Sequence, residues 1–387
     1  MRLLSIIGAR PQFIKFSPVA RAISAQNHPG THSVISSVVV HTGQHYDYEM
    51  SKVFFDEMSI PQPHYDLGVG SGSQGRQTGL MIERIEEVLQ QELPDIVLVF
   101  GDTNSTLAGA LAAVKLHIPV AHVEAGLRSY NKSMPEEINR ITTDHCSTIL
   151  FCPTKTALGN LEKEGFKRSY KRDHLGGIDK DILASVGIDA PLVVETGDVM
   201  YDAILFNLEV AERRSTIQSE LALGTESYSL LTIHRAENTS DDNCLARILE
   251  YVTTDMQTES ALFPAHPRTA QLLKNGKIVL PPSIRIVPPL SYFDMLVVEK
   301  NAHAIYTDSG GVQKEALFLG VPCVTLRGET EWEETIRSGW NRLMGTQSAE
   351  PETRVSAQEV SRTYFGDGQA AQHVVEILKN LAMIRRN

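Results

Sequence analysis

Ionisable side chains are concentrated in one segment, His122 to Arg140, which reads HVEAGLRSYNKSMPEEINR. The segment follows a short apolar run, Ile118 to Ala121, whose composition is typical of a buried strand. Ligands of open α/β sheets bind at the carboxyl ends of the strands. We therefore interpret Glu124 and Glu136 as general acid–base groups that the fold brings into one cleft.

Both carboxylates also have a structural interpretation. Ser133 and Glu136 fit the capping-box pattern, and Pro135 is a residue favoured in the first turn of a helix. Glu124 alone could form a buried ion pair with Arg128. The catalytic interpretation therefore depends on other segments that supply the rest of a site.

Asp102 follows a second strand-like run. Residues Ile96 to Phe100 are all apolar, as expected for a parallel strand that is buried on both faces. If this strand lies beside the one that leads to Glu124, both carboxylates face the same crevice. The alternative is that Asp102 caps the next helix.

Two segments have the pattern of a phosphate cradle. Leu3 to Ile7 is followed by Gly8 and then by a helical pattern with Arg10 and Lys15, and the amides at a helix N-terminus attract anions. The two cations add positive charge where a diphosphate would sit, although both could equally be solvated charges at a helix start. The segment Ser309 to Gly311 opens another helix with small residues, which allow backbone N–H groups to approach an anion.

Further side chains could complete a nucleotide site. Glu315, one turn after the second cradle, could accept hydrogen bonds from ribose hydroxyls. Tyr292 or Phe293 could pack against a base, and core packing is the alternative for both rings. His234 and Arg235 could help to neutralise a departing diphosphate.

Composition narrows the function class. Of 387 residues, 42% are hydrophobic and 21% charged, and the net charge is −11. An acidic chain is a poor candidate for binding nucleic acid or an anionic membrane, and no apolar run approaches the roughly 20 residues of a membrane span. The four cysteines lack metal-type spacing, so we expect reduced thiols in a cytoplasmic protein.

The alternation of strands and helices predicts an α/β protein with two Rossmann-like, doubly wound domains. We expect residues 1–196 to form a domain that carries the acid–base groups, and residues 197–365 to form a domain that binds the nucleotide. Residues 366–387 form an amphipathic helix that is expected to pack across the boundary. Residues 167–191 are polar and are expected to be irregular. Two such domains that face each other would form a cleft for a nucleotide sugar.

Several short motifs, in this order and spacing, resemble the UDP-N-acetylglucosamine 2-epimerase family, whose fold is of the glycosyltransferase-B type. The resemblance extends from Gly8 to about Gly345, which is nearly the whole chain. The motifs are Gly8-Ala9-Arg10-Pro11, Thr42-Gly43-Gln44-His45, Gly101-Asp102-Thr103, His122 to Arg128, Pro135 to Arg140, His234 to Asn238 and Thr307 to Gly311.

The resemblance implies that UDP is eliminated as the C2 proton is removed, and that UDP adds back to the glycal after reprotonation on the opposite face. The residues that match the family's catalytic set are Asp102, Glu124, Glu136 and His234. Those that match its UDP-holding residues are Arg10, Lys15, Ser309, Gly310, Gly311 and Glu315. We add Arg140, Arg235 and Phe293 as candidate binding residues. No metal or redox cofactor is implied.

The family has a hydrolysing branch, which releases free N-acetylmannosamine, and a non-hydrolysing branch, which typically has a second, allosteric UDP-sugar site. Positions that match the second site are present, at Gln44, Arg76, Gln77 and His266, so we favour the non-hydrolysing branch. The segment Gly328 to Trp332 is similar to a subgroup that acts on UDP-2,3-diacetamido-2,3-dideoxyglucuronate. The substrate is therefore expected to be UDP-N-acetylglucosamine or this uronate.

Two other classes of function fit the same fold. A glycosyltransferase would move the sugar to an acceptor and would not need carboxylates around C2. A non-catalytic UDP-sugar sensor would bind without exchanging the C2 proton. In each case a UDP-sugar is the expected ligand, and a homodimer is the expected assembly.

Overall fold

The computed structural model describes residues 1–27, 35–44, 54–223, 227–239, 242–258, 260–265, 269–270, 273, 278, 280–346 and 355–384. Contacts divide the chain into two compact units. The first unit is Met1–Ala203 together with Tyr364–Asn387, and the second is Ile204–Thr363.

The first unit is built on one parallel sheet. Its strands, among the described residues, are β1 (Arg2–Ile7), β2 (Ser36–His41), β3 (Tyr65–Asp66), β4 (Ile96–Phe100), β5 (Val120–Val123), β6 (Ile149–Cys152), β7 (Ser169–Tyr170) and β8 (Leu192–Glu195). They lie in the order β3-β2-β1-β4-β5-β6-β8-β7. Because the order reverses direction between β1 and β4, a crevice is expected outside the carboxyl ends of these two strands.

Helices connect the strands of the first unit. They are α1 (Arg10–Gln26), α2 (Gln74–Glu92), α3 (Asn104–Lys115), α4 (Pro135–Cys146), α5 (Lys155–Lys163), α6 (Lys180–Ala184) and α7 (Val199–Arg214), of which the last contains the boundary between the units. Apolar residues of β1, β2 and β4 pack against α2 and α3 in one core cluster. Burial of β4 on both faces explains its unbroken apolar sequence, since helices cover both faces of such a sheet.

The second unit has a separate parallel sheet. Its strands, among the described residues, are β9 (Tyr228–Thr232), β10 (Ser260–Pro264), β11 (Ile284–Val287), β12 (Ile305–Thr307), β13 (Cys323–Thr325) and β14 (Asn341–Leu343). They lie in the order β11-β10-β9-β12-β13-β14, so the direction reverses between β9 and β12. The second unit thus has its own switch point for ligand binding.

The helices that follow the first boundary are α8 (Ile217–Glu220), α9 (Ala236–Thr239), α10 (Asp242–Asp255), α11 (Tyr292–Asn301), α12 (Gly310–Leu319), α13 (Glu333–Arg337) and α14 (Ala357–Phe365). A core cluster joins apolar residues of β9, β10 and β12 to α10. The last helix, α15 (Ala370–Ile384), belongs to the first unit and packs against α1 and α6.

The predicted α/β class with two doubly wound units is confirmed, and the expected strands are present with slightly shifted ends. The expectation of an irregular segment over residues 167–191 was wrong in part, because it contains β7, a 3-10 helix at Arg172–Gly177 and α6. Within the described residues, no helix has the length and apolar character needed to cross a bilayer.

Candidate active site

Glu124 and Lys15 form a buried ion pair beside the end of β4. The Lys15 Nζ atom lies 2.5 Å from Glu124 Oε1, and the Glu124 side chain is 6% exposed. Gly101 packs directly against this pair, since a Cβ added there would lie 2.9 Å from Lys15 Nζ. The positive φ of 64° at Gly101 also favours glycine. The pair is therefore fitted against a turn that only glycine forms without strain.

Glu124 itself adopts a left-handed backbone conformation, with φ of 73°. This is uncommon for a residue with a side chain and is most frequent at functional sites and tight turns. The amides of Glu124 and Ala125 both donate to the Phe151 carbonyl, at 3.1 and 3.0 Å. These bonds to β6 turn the chain sharply as it leaves β5, which places the Glu124 side chain at the carboxyl edge of the sheet.

Asp102 is held by α4. One guanidinium nitrogen of the buried Arg140 donates to Asp102 Oδ2, and the other lies 2.5 Å from Glu137 Oε2. The Asn139 side chain donates to the Asp102 carbonyl at 2.9 Å. The Asp102 side chain is 26% exposed, so it remains accessible to a ligand.

Glu137 fixes the loop before α4. Its carboxylate accepts hydrogen bonds from the amides of Ser129 and Tyr130, each at 2.9 Å. Burial opposes ionisation of Glu137, but the Ser129 amide and the Arg140 guanidinium outweigh it and lower the pKa of the carboxyl group. Glu137 therefore acts as a fixed anion that orients Arg140.

Glu136 lies in the first turn of α4 and is half-buried. The capping-box interpretation was wrong, because α4 begins at Pro135 with Met134 as its N-cap, and Ser133 instead donates to the Asn131 side chain. The predicted proline at the helix start is confirmed. Across the described residues, the side chain of Glu136 makes no hydrogen bond or ion pair, so its carboxylate is not committed to a structural partner.

Arg128 belongs to the same loop, which connects β5 to α4. It is buried and forms ion pairs with Asp144 at 2.7 Å and with Glu164, also at 2.7 Å. The suggested pairing of Arg128 with Glu124 was therefore wrong. Asp102 is also not the cap of α3, since Thr103 occupies the N-cap position and accepts from the Thr106 amide.

The turn after β1 has its own cap. The amides of Gly8 and Ala9 donate to Gln12 Oε1, at 2.8 and 3.1 Å. Gly8 packs so closely that an added Cβ would lie 1.9 Å from Thr42 Oγ1. The Arg10 guanidinium lies 5.0 Å from the centre of the Phe54 ring, in a cation–π contact.

Three of the candidate allosteric positions lie in the described part of the chain: Arg76 and Gln77 belong to α2, and Gln44 contacts Ser105 of α3. The Gln44 side chain accepts from the Ser105 hydroxyl at 2.6 Å, and Gln77 accepts from the Asn104 side chain at 2.9 Å. Arg76 is exposed near the start of α2. His266 lies outside the described residues.

In the second unit, Asp308 is the centre of a polar cluster at the switch point. It follows β12, is fully buried and accepts from the Arg235 amide at 3.0 Å and the Asn238 side chain at 2.9 Å. Burial opposes its ionisation, but hydrogen bonds from His234 and Asn238 outweigh it and lower the pKa of Asp308.

His234 is oriented by this carboxylate. Its Nδ1 atom lies 2.8 Å from Asp308 Oδ1, while the His234 side chain is 58% exposed. Because Nδ1 is engaged, Nε2 is the ring atom left to meet a ligand. Carboxylate and imidazole thus form an oriented couple at the end of β9.

The N-terminus of α12 follows β12 and lies at the carboxyl edge of the second sheet. Ser309 is the N-cap, and its hydroxyl accepts from the Val312 amide at 3.4 Å. A Cβ added at Gly310 would lie 2.3 Å from Glu331 Oε1, so a larger residue here would have to displace the Glu331 carboxylate. Glu331 in turn pairs with Arg327 at 2.7 Å. A helix N-terminus with small residues and an ordered cap is suited to an anion.

Of the other candidate binding residues of this unit, Phe293 and Glu315 are buried and Arg235 is partly exposed. Phe293 is packed against Tyr292, with ring centres 6.2 Å apart, and neither ring is exposed. Glu315 is also buried on α12. Arg235 donates through Nε to the Asp308 carbonyl at 3.1 Å, which ties it to the same cluster as His234.

Sequence reasoning missed the residues that orient the candidate site. These are His122, Glu137, Asn139, Asp144, Asp308 and Asn238. The available signal was the run of polar residues inside the motifs around them, but their partners are distant in the sequence. Among the described residues, no group of three or more histidine, cysteine or acidic side chains is placed to hold a metal ion.

Comparison with known proteins gives a consistent result. The sequence profile of the family described as UDP-N-acetylglucosamine 2-epimerase matches residues 30–379. A protein of Methanococcus maripaludis named UDP-N-acetylglucosamine 2-epimerase homolog is 46% identical over 98% of this chain and 100% of its own length. The UDP-2,3-diacetamido-2,3-dideoxy-D-glucuronate 2-epimerase of Pseudomonas aeruginosa is 42% identical over 98% of this chain and 100% of its own length.

A solved structure extends the similarity to three dimensions. The crystal structure of Methanocaldococcus jannaschii UDP-GlcNAc 2-epimerase in complex with UDP-GlcNAc and UDP has a TM-score of 0.79 and 39% identity. The match covers 98% of this chain and 99% of that one. Fold and sequence therefore agree over nearly the full length of both proteins.

Proposed function

The chain belongs to the UDP-N-acetylglucosamine 2-epimerase family, and from this premise we propose that the enzyme inverts C2 of a UDP-2-acetamido sugar without hydrolysing it. UDP-N-acetylglucosamine is the proposed substrate, and UDP-N-acetylmannosamine is the proposed product. The non-hydrolysing branch is proposed on the matching positions Gln44, Arg76, Gln77 and His266.

The proposed reaction has two steps. In the first, a base removes the C2 proton while the bond between C1 and the UDP oxygen breaks, which gives a 2-acetamidoglycal and UDP. In the second, a proton is delivered to the opposite face of C2 and the UDP oxygen forms the C1 bond again. The net change is inversion at C2, and no water or redox partner is consumed.

The observation that carries the proposal is the pair of carboxylates, Asp102 and Glu124, at one sheet edge of the first unit, together with Glu136 in the first turn of α4. Glu124 is paired with Lys15, Asp102 is held by Arg140, and Glu136 is uncommitted within the described part of the chain. Removal of a C2 proton from one face and its return to the other needs more than one acid–base group. We assign this role to Asp102, Glu124 and Glu136.

The second unit supports binding and departure of the diphosphate. The N-terminus of α12, with Ser309, Gly310 and Gly311, offers backbone N–H groups to an anion. His234, held by Asp308, and Arg235 lie at the neighbouring strand end. We propose that His234 and Arg235 stabilise the charge that develops on UDP as the C1 bond breaks.

A second substrate has a specific observation in its favour. The Pseudomonas aeruginosa relative, 42% identical, is named for UDP-2,3-diacetamido-2,3-dideoxy-D-glucuronate. Its substrate would undergo the same two steps, because the chemistry at C1 and C2 does not involve the groups at C3 and C6. The two candidates thus differ in binding and share one reaction.

Proton NMR of each UDP-sugar incubated with the enzyme tests the proposal. We expect new anomeric and C2 signals of the epimer, with the sugar still attached to UDP, for one of the two substrates. Release of free N-acetylmannosamine would instead identify a hydrolysing enzyme. Bound but unchanged sugar for both substrates would contradict the proposed function.

A further inference from the structure

His122 is a buried ionisable residue that the proposed reaction does not use. It lies at the end of β5 and its side chain is 0% exposed. Both ring nitrogens have close partners: Nδ1 lies 2.7 Å from Asp144 Oδ1, and Nε2 lies 2.7 Å from the Gly101 carbonyl oxygen.

These two partners fix the protonation of the ring. A neutral imidazole has one N–H and one lone pair, so it can donate at only one nitrogen. A carbonyl oxygen only accepts. Burial opposes ionisation of Asp144, but His122 and the Arg128 guanidinium, 2.7 Å from Oδ2, outweigh it and lower the pKa of this carboxyl group, so Asp144 is an ionised acceptor. Both ring nitrogens of His122 must therefore donate, which requires an imidazolium.

The charged groups around the ring agree with this state. Arg128 bridges Asp144 and Glu164, and Glu164, whose side chain is 28% exposed, also lies 3.3 Å from the exposed ring of His145. In the buried part of this network the Asp144 carboxylate lies between the Arg128 guanidinium and the His122 ring, so a second proton on the ring places positive charge next to a buried anion. The Cys152 thiol also lies near Asp144, but burial raises its pKa and keeps it neutral.

The network connects the two strand ends that carry the candidate acid–base groups. The Gly101 carbonyl, which accepts from His122, belongs to the peptide bond that leads into Asp102. Asp144 Oδ2 accepts a hydrogen bond from the amide of Gly126, which lies two residues after Glu124 in the sequence. Gly101 also packs against the Lys15–Glu124 pair. One buried cation–anion couple thus holds the backbone on both sides of the site.

We propose that His122 is a positioning residue that works as an imidazolium: together with Asp144 it fixes the backbone that presents Asp102 and Glu124 to the substrate. The roles of Asp102 and Glu124 rest on the proposed function, whereas the state of the ring does not. His122 has no contact with substrate in this scheme. Its effect is on the rate of the chemical steps, since displacement of a catalytic group by about 1 Å can cost about a hundredfold.

The state of the ring is tested on the wild-type enzyme labelled with ¹⁵N in histidine. At neutral pH we expect one histidine with slowly exchanging protons on both ring nitrogens, assigned by nuclear Overhauser contacts to the neighbours of Gly101 and Asp144. The His122→Gln spectrum should lack it. A neutral tautomer at this position would overturn the proposal, whether or not the enzyme turns over.

Kinetics of two variants test the positioning role. Phenylalanine at 122 cannot donate to Gly101, whereas glutamine can, so we expect kcat to fall about a hundredfold in His122→Phe and less in His122→Gln. KM should change little in both, and the exposed-site control His303→Gln should match the wild type.

Rates are expressed per folded molecule, with folding followed by circular dichroism, so that loss of folded protein is not counted as loss of kcat. A folded His122→Phe enzyme with wild-type kcat would overturn the positioning role. If the wild type itself turns over neither UDP-sugar, the proposed function fails, and the NMR result still decides the state of the ring.

Discussion

At the scale of single residues, the candidate carboxylates differ in how they are held. Glu124 is buried and paired with Lys15, whereas Asp102 is partly exposed and is held by Arg140. In each pair the cation offsets the free-energy cost of removing the carboxylate from water, which would be high without a partner. Glu136 is the half-buried carboxylate without a partner among the described residues. The proposed mechanism therefore has three carboxylates, each in a different environment, that can take up or release a proton.

We expect Asp102→Asn and Glu124→Gln each to lower kcat by at least about a hundredfold, the usual scale for acid–base groups. Each substitution keeps the shape of the side chain and removes its ability to exchange a proton. UDP binding, measured by isothermal titration calorimetry, should largely survive because neither substitution alters the proposed anion-binding residues Ser309, Gly310 and Gly311. Asp189→Asn and Glu87→Gln, at exposed positions, are the matched controls.

Near-normal turnover in either variant would remove that residue from the acid–base set. A loss of UDP affinity as large as the loss of kcat would point instead to a binding role.

The residues of the site were predictable in part. Asp102, Glu124 and His234 stand directly after apolar runs, and the structure does place them at carboxyl ends of strands. Their partners were not predictable, since His122 meets Asp144 and His234 meets Asp308 across 22 and 74 positions. Arg128 was paired with the wrong carboxylate for this reason: nearness in sequence suggested Glu124, and packing of α4 and α5 supplied Asp144 and Glu164.

Among the helices and strands, the last helix is held by a buried carboxyl group whose pKa is raised. Asp202, near the start of α7, is buried and accepts from the Ala371 amide at the start of α15 at 2.7 Å. Burial raises the pKa of Asp202 to about 7, with Asp198 and Asp367 nearby also raising it, against the lowering effect of the Ala370 and Ala371 amides.

This pKa predicts a pH dependence of stability. The pKa rises from the model-compound value of 3.8 to about 7 in the folded protein. The contribution of Asp202 is therefore fully present below about pH 4 and is lost as pH rises through about 7. In Asp202→Asn, which can still accept the amide hydrogen bond, the gain in melting temperature over the wild type should grow between these pH values and then level off.

Circular dichroism melts from pH 4 to 8 measure this difference. Asp179→Asn is the control, because Asp179 caps α6 through the Ile182 amide at 2.9 Å but is exposed. A difference between Asp202→Asn and the wild type that stays constant with pH would show that Asp202 is ionised throughout.

Caps and short elements were the parts of the fold least predictable from the sequence. Helix and strand cores follow hydrophobic periodicity, and these were found. The two structural alternatives that involved caps, Asp102 for α3 and the Ser133–Glu136 capping box for α4, were wrong, since Thr103 and Met134 are the N-caps. The position of an N-cap depends on the backbone angles of a single residue, and the packing of neighbouring segments can move it by one position.

For the whole molecule, the alternation of strands and helices in the sequence correctly predicted two doubly wound units. Candidate site residues lie at the switch point of each unit's sheet. In the first unit Gly8 and Gly101 come directly after β1 and β4, and in the second His234 comes two residues after β9 and Asp308 directly after β12. The strand order was not readable from the sequence, because it is set by pairing between distant segments. The proposed acid–base groups belong to the first unit, and the proposed anion-binding helix belongs to the second.

Incorporation of deuterium at C2 of the sugar separates the proposed epimerisation from transfer of the sugar to an acceptor and from binding without reaction. The enzyme is incubated in buffered heavy water with each UDP-sugar and without any acceptor, and C2 is followed by NMR and mass spectrometry. We predict that the epimer formed carries deuterium at C2 while its bond to UDP is intact. Formation of the epimer with its original C2 proton retained, or binding without any exchange, would contradict the account.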